Sequence, residues 1–447
     1  SKKINPTLSA GIAAVISLIV PIQMVSQTWD DHDRSGRYTC RDFGKNYLTS
    51  VDENGIIFTN GDNDTFPLWY AQETEGYRTD VRVCNLSYLQ TDWYVNQMKS
   101  QAYESDPLPI SMEELQYGNK KREYAYILDR VDYPVSVKMA MDYFLSDDER
   151  TKTIPGYGKI NHLPTGELFI DIDKEKILKS GIVPKGYENK IVDRIDLSFK
   201  DKNTLILNDL AIIDLLSTNA ETGWKRPVYF ATTVDPSFFT ETDKYFMRTG
   251  MAYEVVPVKL ENTPGRYQVN TDKMYDNVMN KFVWGGIDVN PDIYLDETIR
   301  RMCYSYRIMF IDLIDQLIQE GKTDKALKAL DYCMEKIPGD VVPHNYISLQ
   351  LAMDYYFLKQ NEKGKALLEK IADSAIEYVT WINSLDNNKK RSVQRDYYYN
   401  ERALAEQVIP MFYRFGDEES GKKYLEKAAL AGVDINRYFK IDTSKTN

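Results

Sequence analysis

Residues 55–94 read GIIFTNGDNDTFPLWYAQETEGYRTDVRVCNLSYLQTDWY, and the order of apolar runs and turn residues in this stretch decides the fold class. Ile56, Ile57, Phe58 and Thr59 form a short apolar run with β-branched members, which predicts a strand. Residues 60–64 are turn chemistry, because Asn, Gly and Asp tolerate positive φ and bond their own backbone. Residues 65–75 carry a helical pattern with Phe66, Tyr70 and Glu73 on one face, and Gly76 follows as a stop signal. Residues 81–86 predict a second strand, and Thr91 or Asp92 caps a helix through Trp93, Val95 and Met98. A β-α-β-α order favours parallel strands with right-handed crossovers. Ligands in such sheets collect beyond the carboxyl ends of the strands, where the GDND turn is expected.

Two readings of that turn stand side by side. Asp62 and Asp64 form a D-x-D pair, and carboxylates at this spacing share one hard cation in enzymes that hold a diphosphate. Asn63 and Thr65 complete the candidate ligand or metal site, and Arg78, Asp80, Asp92 and Trp93 are expected near the same end of the sheet. In the other reading Asp64 or Thr65 caps the helix, while Asp62 bonds turn amides or Arg78. The chain has no Gly-rich phosphate loop, nucleophile elbow, H-E-x-x-H or kinase motif set. No cofactor is expected beyond such a divalent cation.

The chain has 447 residues, room for two or three domains. Its net charge of −11 and unclustered basic residues argue against a nucleic-acid partner, since phosphate binding needs grouped Lys and Arg. Cys40, Cys84, Cys303 and Cys333 are far apart with no C-x-x-C, so zinc is not expected. They read as buried free thiols, with a Cys303–Cys333 bridge as the alternative in an oxidising compartment.

Lys2 and Lys3 are followed by no charge until Asp30, and residues 8–25 are mostly apolar (LSAGIAAVISLIVPIQMV). This approaches the roughly 20 residues of a bilayer span. The alternative is a buried core helix. If it spans, the lysines place its start inside. Residues 29–48 follow, with Asp31, His32, Asp33 and Arg34 as a dense polar cluster. His32 among carboxylates reads either as a metal ligand or acid/base pair, or as a solvated linker in which Asp33 or Ser35 starts the next helix.

Three contiguous motifs, WDDHDRSGRY at 29–38, NGDNDTFPLWYAQETEGYRTDVRVCNLSYLQTDWY at 60–94 and YESDPLPISM at 103–112, resemble the soluble C-terminal region of a bacterial transmembrane family. This is the protein O-mannosyltransferase-like family, once labelled a domain of unknown function. The resemblance implies a multi-pass membrane part related to lipid-linked-sugar glycosyltransferases, followed by a periplasmic globular region. The family's proposed catalytic carboxylates lie in an early membrane loop that nothing here matches. The resemblance therefore implies an inner-membrane-anchored, non-catalytic periplasmic fragment.

Further along, Ser111 and Glu114 have capping-box spacing. Residues 167–172 and 191–199 alternate like strands, and Asn208 is expected to cap an amphipathic helix. Residues 226–233 and 251–258 are buried-type strands that complete the sheet begun at Ile56. From residue 294 the pattern turns to long helices in pairs, in which Ala326, Ala366 and Gly421 are expected to permit close packing. These pairs resemble tetratricopeptide repeats, a class that binds protein surfaces. The expected architecture is an apolar helix (1–28), a Rossmann-like α/β domain with a mainly parallel sheet (29–260), a connecting region (261–296) and an all-α TPR-like domain (297–447). Three functions are weighed: a membrane-tethered module that positions acceptor proteins, a metal-dependent sugar-transfer or hydrolytic site at the GDND turn, and a scaffold for an envelope complex.

Overall fold

The computed structural model describes residues 5–156, 158–393 and 402–434. The chain divides into two compact units: Cys40–Val283 with Asp312–Ala329, and Ser1–Thr39 with Trp284–Ile311 and Leu330–Asn447.

Helix α1 (Pro6–His32) starts where Asn5 accepts a hydrogen bond from the Thr7 amide at 3.0 Å, with Pro6 at the first turn. It continues through Pro21. Ile12, Val15, Ile16, Ile19 and Ile22 are all exposed, so the core-helix alternative for this stretch is wrong. Pro6–Trp29 is long and apolar enough to cross a membrane. Its 24 residues rise about 36 Å, against a hydrocarbon core of about 30 Å.

The first unit is built on a six-stranded sheet. Its strands are β1 (Ile56–Thr59), β2 (Arg82–Asn85), β3 (Val228–Ala231), β4 (Phe246–Arg248), β5 (Ala252–Val255) and β6 (Gln268–Val269), in the order β6-β4-β5-β3-β1-β2. β1 lies parallel to both neighbours, with Ile57 opposite Val83 and Tyr229. Every residue of β1, β2 and β3 is buried, as in a sheet covered on both faces. The sheet is mixed, with three of its five strand pairings parallel. β5 pairs antiparallel with both β3 and β4, while β6 runs parallel to β4. The reason is local: only residues 249–251 join β4 to β5, too few for a crossover. Gly250 sits there at φ 147°, and a Cβ on it would meet Ser50 Oγ at 2.4 Å. The run at 167–172 forms a strand (Glu167–Asp171), but it pairs with Arg194–Ser198 in a separate small sheet.

Helix α2 (Thr39–Thr49) precedes β1, and α3 (Asp62–Glu75) joins β1 to β2. α3 ends at Gly76 (φ 61°), where the Gly76 and Tyr77 amides bond back to Gln72 and Ala71 at 3.0 Å each. α4 (Asp92–Met98) follows β2, and α5 (Leu207–Glu221) precedes β3. Ser111 does not open a capping box. Its amide and hydroxyl both donate to the Asp214 carboxylate at 2.6 Å, on α5. Asn208 is not a cap either: it lies inside α5 and donates to the Leu86 carbonyl at 3.2 Å.

From residue 297 onward the described residues are all-helical. α6 (Glu297–Gln319) and α7 (Thr323–Lys336) contribute residues to both units. α8 (Ser348–Phe357), α9 (Asn361–Ser384), α10 (Ile409–Arg414) and α11 (Glu418–Leu430) belong to the second. Ala326 is buried, but Ala366 is exposed. The close approach in that hairpin is at Gly364, where a Cβ would meet the Tyr356 ring at 2.7 Å. Gly421 has the same relation to Tyr413, at 2.6 Å. The expected helix at 397–415 is described only from residue 402 onward; the rest of it lies outside the described residues. Cys84, Cys303 and Cys333 are buried free thiols, and Cys40 is exposed.

Candidate functional site

The chain leaves β1 between β2 and β3, the point at which the strand order reverses. The GDND segment is there, but it is less of a turn than its composition predicts. α3 begins at Asp62, so Asp62, Asn63 and Asp64 are its first turn. Asp64 is buried, and its carboxylate accepts hydrogen bonds from the amides of Gly61 (2.8 Å) and Asn60 (3.3 Å) and from Thr233 Oγ1 (2.7 Å). The two amide bonds are the side-chain half of a capping box and place negative charge at the helix N-terminus. The Thr233 bond ties the β1 exit to the β3 exit. Thr65 is buried behind it, within 2.7 Å of Thr59 Oγ1, and it accepts from Asn85 Nδ2 at 2.9 Å, which links β1 to β2. Asp62 and Asn63 are exposed. The D-x-D pair therefore splits, one carboxylate on the surface and one inside.

Tyr47 of α2 closes this joint. Its hydroxyl lies 3.2 Å from Thr232 Oγ1 and 3.3 Å from Thr233 Oγ1. Burial pushes the Tyr47 hydroxyl pKa well up, and the Asp64 charge adds to this, so Tyr47 stays neutral.

Arg78 and Asp80 are not at this end. They precede β2, which runs parallel to β1, so they sit at the amino ends of the strands. Their pairing is bidentate, at 2.8 and 2.9 Å, and Arg78 also donates to the Leu48 and Val51 carbonyls. Burial alone would raise the Asp80 pKa. The Arg78 hydrogen bonds and the Asn54 amide overcome it and hold the carboxyl below its usual range. Asp92 and Trp93 do follow the carboxyl end of β2. Asp92 accepts from the Asn119 amide at 3.0 Å, and Trp93 is exposed.

In the second cluster the described side chains bond within their own segment. His32 Nδ1 donates to the Thr28 carbonyl at 2.8 Å within α1, and Asp33 Oδ1 accepts from the Ser35 amide at 2.8 Å. Arg34 is exposed, and the side chain of Asp31 lies outside the described atoms. Neither Asp33 nor Ser35 starts the next helix, because Gly36 at φ 71° breaks the chain before Thr39. Among the described residues, no group of three or more His, Cys, Asp and Glu is placed to hold a metal ion.

Two buried arginines escaped the sequence reading. Arg82 donates to the carbonyls of Met98, Ser100, Ser105 and Asp106 and to Ser105 Oγ, at 2.9–3.3 Å. Arg226 donates to the carbonyls of Asn54, Asp106 and Pro107 and to the same Ser105 Oγ, at 2.6–3.2 Å. Burial, with the Arg82 charge nearby, lowers the Arg226 pKa to about 10. Both are visible in sequence as charges at the mouths of apolar runs, RVCN and RPVYFA. A third cluster joins Lys273 to Glu254 and Tyr229, each at 2.9 Å, with Tyr229 also donating to Glu254 at 2.9 Å.

The fold and this joint define a class: an α/β unit with a helical region and an apolar helix able to enter a membrane. The family model of TMEM260-associated domain 2 matches residues 40–273, more than half of the chain, and the chain belongs to that family. The family is TMEM260-like, and so O-mannosyltransferase-like. No curated protein and no solved structure matches the chain.

Proposed function

We propose that this chain is the non-catalytic region of a membrane-anchored, O-mannosyltransferase-like protein, and that it positions acceptor polypeptides on the periplasmic side of an inner membrane. The observation that carries this reading is the state of Asp64. A carboxylate with three protein donors already in place works as a structural joint between β1, α3 and β3, and it is not poised to hold a diphosphate through a cation. The helical hairpins, read as TPR-like, present Tyr346, Phe357 and Trp381 on their surface, side chains that suit contact with unfolded chain. Helix α1 supplies the anchor.

The test uses the full chain in lipid nanodiscs, with reduced and carboxymethylated α-lactalbumin as a permanently unfolded probe. Saturable binding that needs no divalent cation and survives Asp62→Ala is expected. Cation-dependent turnover of a nucleotide sugar by this chain, abolished by Asp62→Ala, would overturn the reading in favour of a catalytic GDND site.

A further inference from the structure

Alongside the outer edge of β2, between α3 and α4, lies a cleft of about 600 Å³. Sites for small organic ligands run from about 300 to 1,000 Å³. Its walls are aromatic. Trp69 of α3 stacks on Tyr88 (centroids 6.2 Å apart, planes at 17°), and Tyr88 lies 6.1 Å from Trp93 of α4. Phe66 extends the row, 5.7 Å from Trp69. Trp93 keeps 55% of its surface exposed and Tyr103 keeps 58%. Tyr103 also holds a left-handed backbone (φ 52°), which is unfavourable for an aromatic residue, and its hydroxyl donates to Glu73 in the same cleft.

Polar groups are set among the rings. Gln72 is fixed by its Nε2, which donates to the carbonyls of Arg78 (2.9 Å) and Val81 (2.7 Å). Its Oε1 accepts from no described residue, and the Gln97 side-chain amide lines the cleft with no hydrogen bond to any described residue.

We propose that this cleft binds a neutral saccharide, with a pyranose ring stacked on the exposed Trp93 face and its hydroxyls bonded by Gln72, Gln97 and Glu73. A pyranose has one apolar C–H face and a rim of hydroxyls that both donate and accept. An aromatic wall bearing planar amides and a carboxylate complements both surfaces. Other ligand chemistries fit worse. A purely apolar ligand leaves the Gln97 amide and Glu73 desolvated without partners. A phosphate finds no free cation among the described lining residues, since Arg82 spends its donors on the backbone carbonyls and Ser105. An extended peptide meets an edge of β2 that is obstructed on both sides of Val83. The Val81 amide and carbonyl are taken by Arg78 and Gln72, and the Asn85 amide by the Tyr94 hydroxyl at 3.0 Å. The proposal stands apart from polypeptide positioning, which uses another surface.

The experiment is saturation-transfer NMR on the full chain in nanodiscs free of glycosidic detergent. The probes are the methyl glycosides of D-glucose, D-galactose and D-mannose, and cellobiose. Saturable transfer to at least one sugar is expected. Trp93→Ala should weaken it on the order of tenfold, as loss of an aromatic anchor does, and Gln97→Ala should weaken it too. Tyr133→Ala, an exposed ring outside the cleft, should leave it unchanged. No saturable transfer to any probe, or equal loss in Tyr133→Ala, overturns the proposal. So does displacement of the sugar by carboxymethylated α-lactalbumin with the same Trp93 dependence, which would make the cleft a polypeptide site. Polypeptide binding that persists in Trp93→Ala leaves the two readings separable.

Discussion

Replacing Asp64 by alanine tests the central joint directly. The substitution removes an acceptor that is 3% exposed and serves three donors. Loss of a cap costs about 1 kcal/mol, and loss of a hydrogen bond to a buried charge costs roughly 1.5–3 kcal/mol. Together they destabilise the α/β unit by about 3 kcal/mol. For a unit of this size each kcal/mol lowers the midpoint by roughly 2–4 °C, so a fall of roughly 6–12 °C follows. Asp62 is exposed and contributes only through the helix dipole, so Asp62→Ala costs about 0.5 kcal/mol. Thr233→Ala removes one of the same bonds, and the double variant Asp64→Ala/Thr233→Ala falls short of the sum of the singles. Scanning calorimetry of the full chain in nanodiscs reads the midpoints, and hydrogen exchange reads the amides of Asn60 and Gly61, which lose protection in Asp64→Ala alone. Equal midpoints for the two aspartate variants, with unchanged exchange at Gly61, would refute the reasoning.

Other expectations follow from packing and charge. Gly364→Ala drives a Cβ against the Tyr356 ring and costs the helical unit about 1–3 kcal/mol, measurable as a lower midpoint; Ala366→Ser, on an exposed position, changes it little. His344 is buried, and burial, with Arg307 adding, lowers its pKa to about 3. Its unfolded value is about 6.5, so the unfolded chain binds the proton first as pH falls. Stability is full above about 6.5, is reduced by about 2 kcal/mol at pH 5, and goes on falling toward the folded pKa. His344→Gln flattens that part of the denaturation profile between pH 7 and 5. Paired substitutions Ile16→Arg and Ile19→Arg near the middle of α1 each cost about 2.5–3.5 kcal/mol in a membrane and shift the chain into the soluble fraction on alkaline carbonate extraction.

What the sequence discloses depends on how far apart the interacting residues lie. β1 and β2 are readable because each is a contiguous apolar run flanked by turn residues. β4 and β6 are not, being three and two residues long. β4 also carries Arg248, whose buried charge is matched by Asp312, 64 positions away. The Ser111 spacing fits a capping box, yet the partner that wins is Asp214, 103 positions away. Ala366 and Gly364 differ by two positions, but only the latter falls on the buried side of α9, a phase that spacing alone does not fix. Asp64 shows the converse. Cap and ligand readings predict the same residue at the same place, and only the donor in the β3 exit loop separates them.

The two arginines that grip residues 98–107 bear on how a guest would arrive. They hold that segment by main-chain oxygens rather than by side-chain carboxylates, so its course is independent of which side chains it carries outward. Tyr103 and Ala102 are thus mounted on a backbone that lost its conformational freedom when the chain folded. Little ordering entropy remains to oppose association. Occupancy should follow a single exponential with no slow rearrangement, and sequence drift at 101–104 should retune selectivity without loosening the frame.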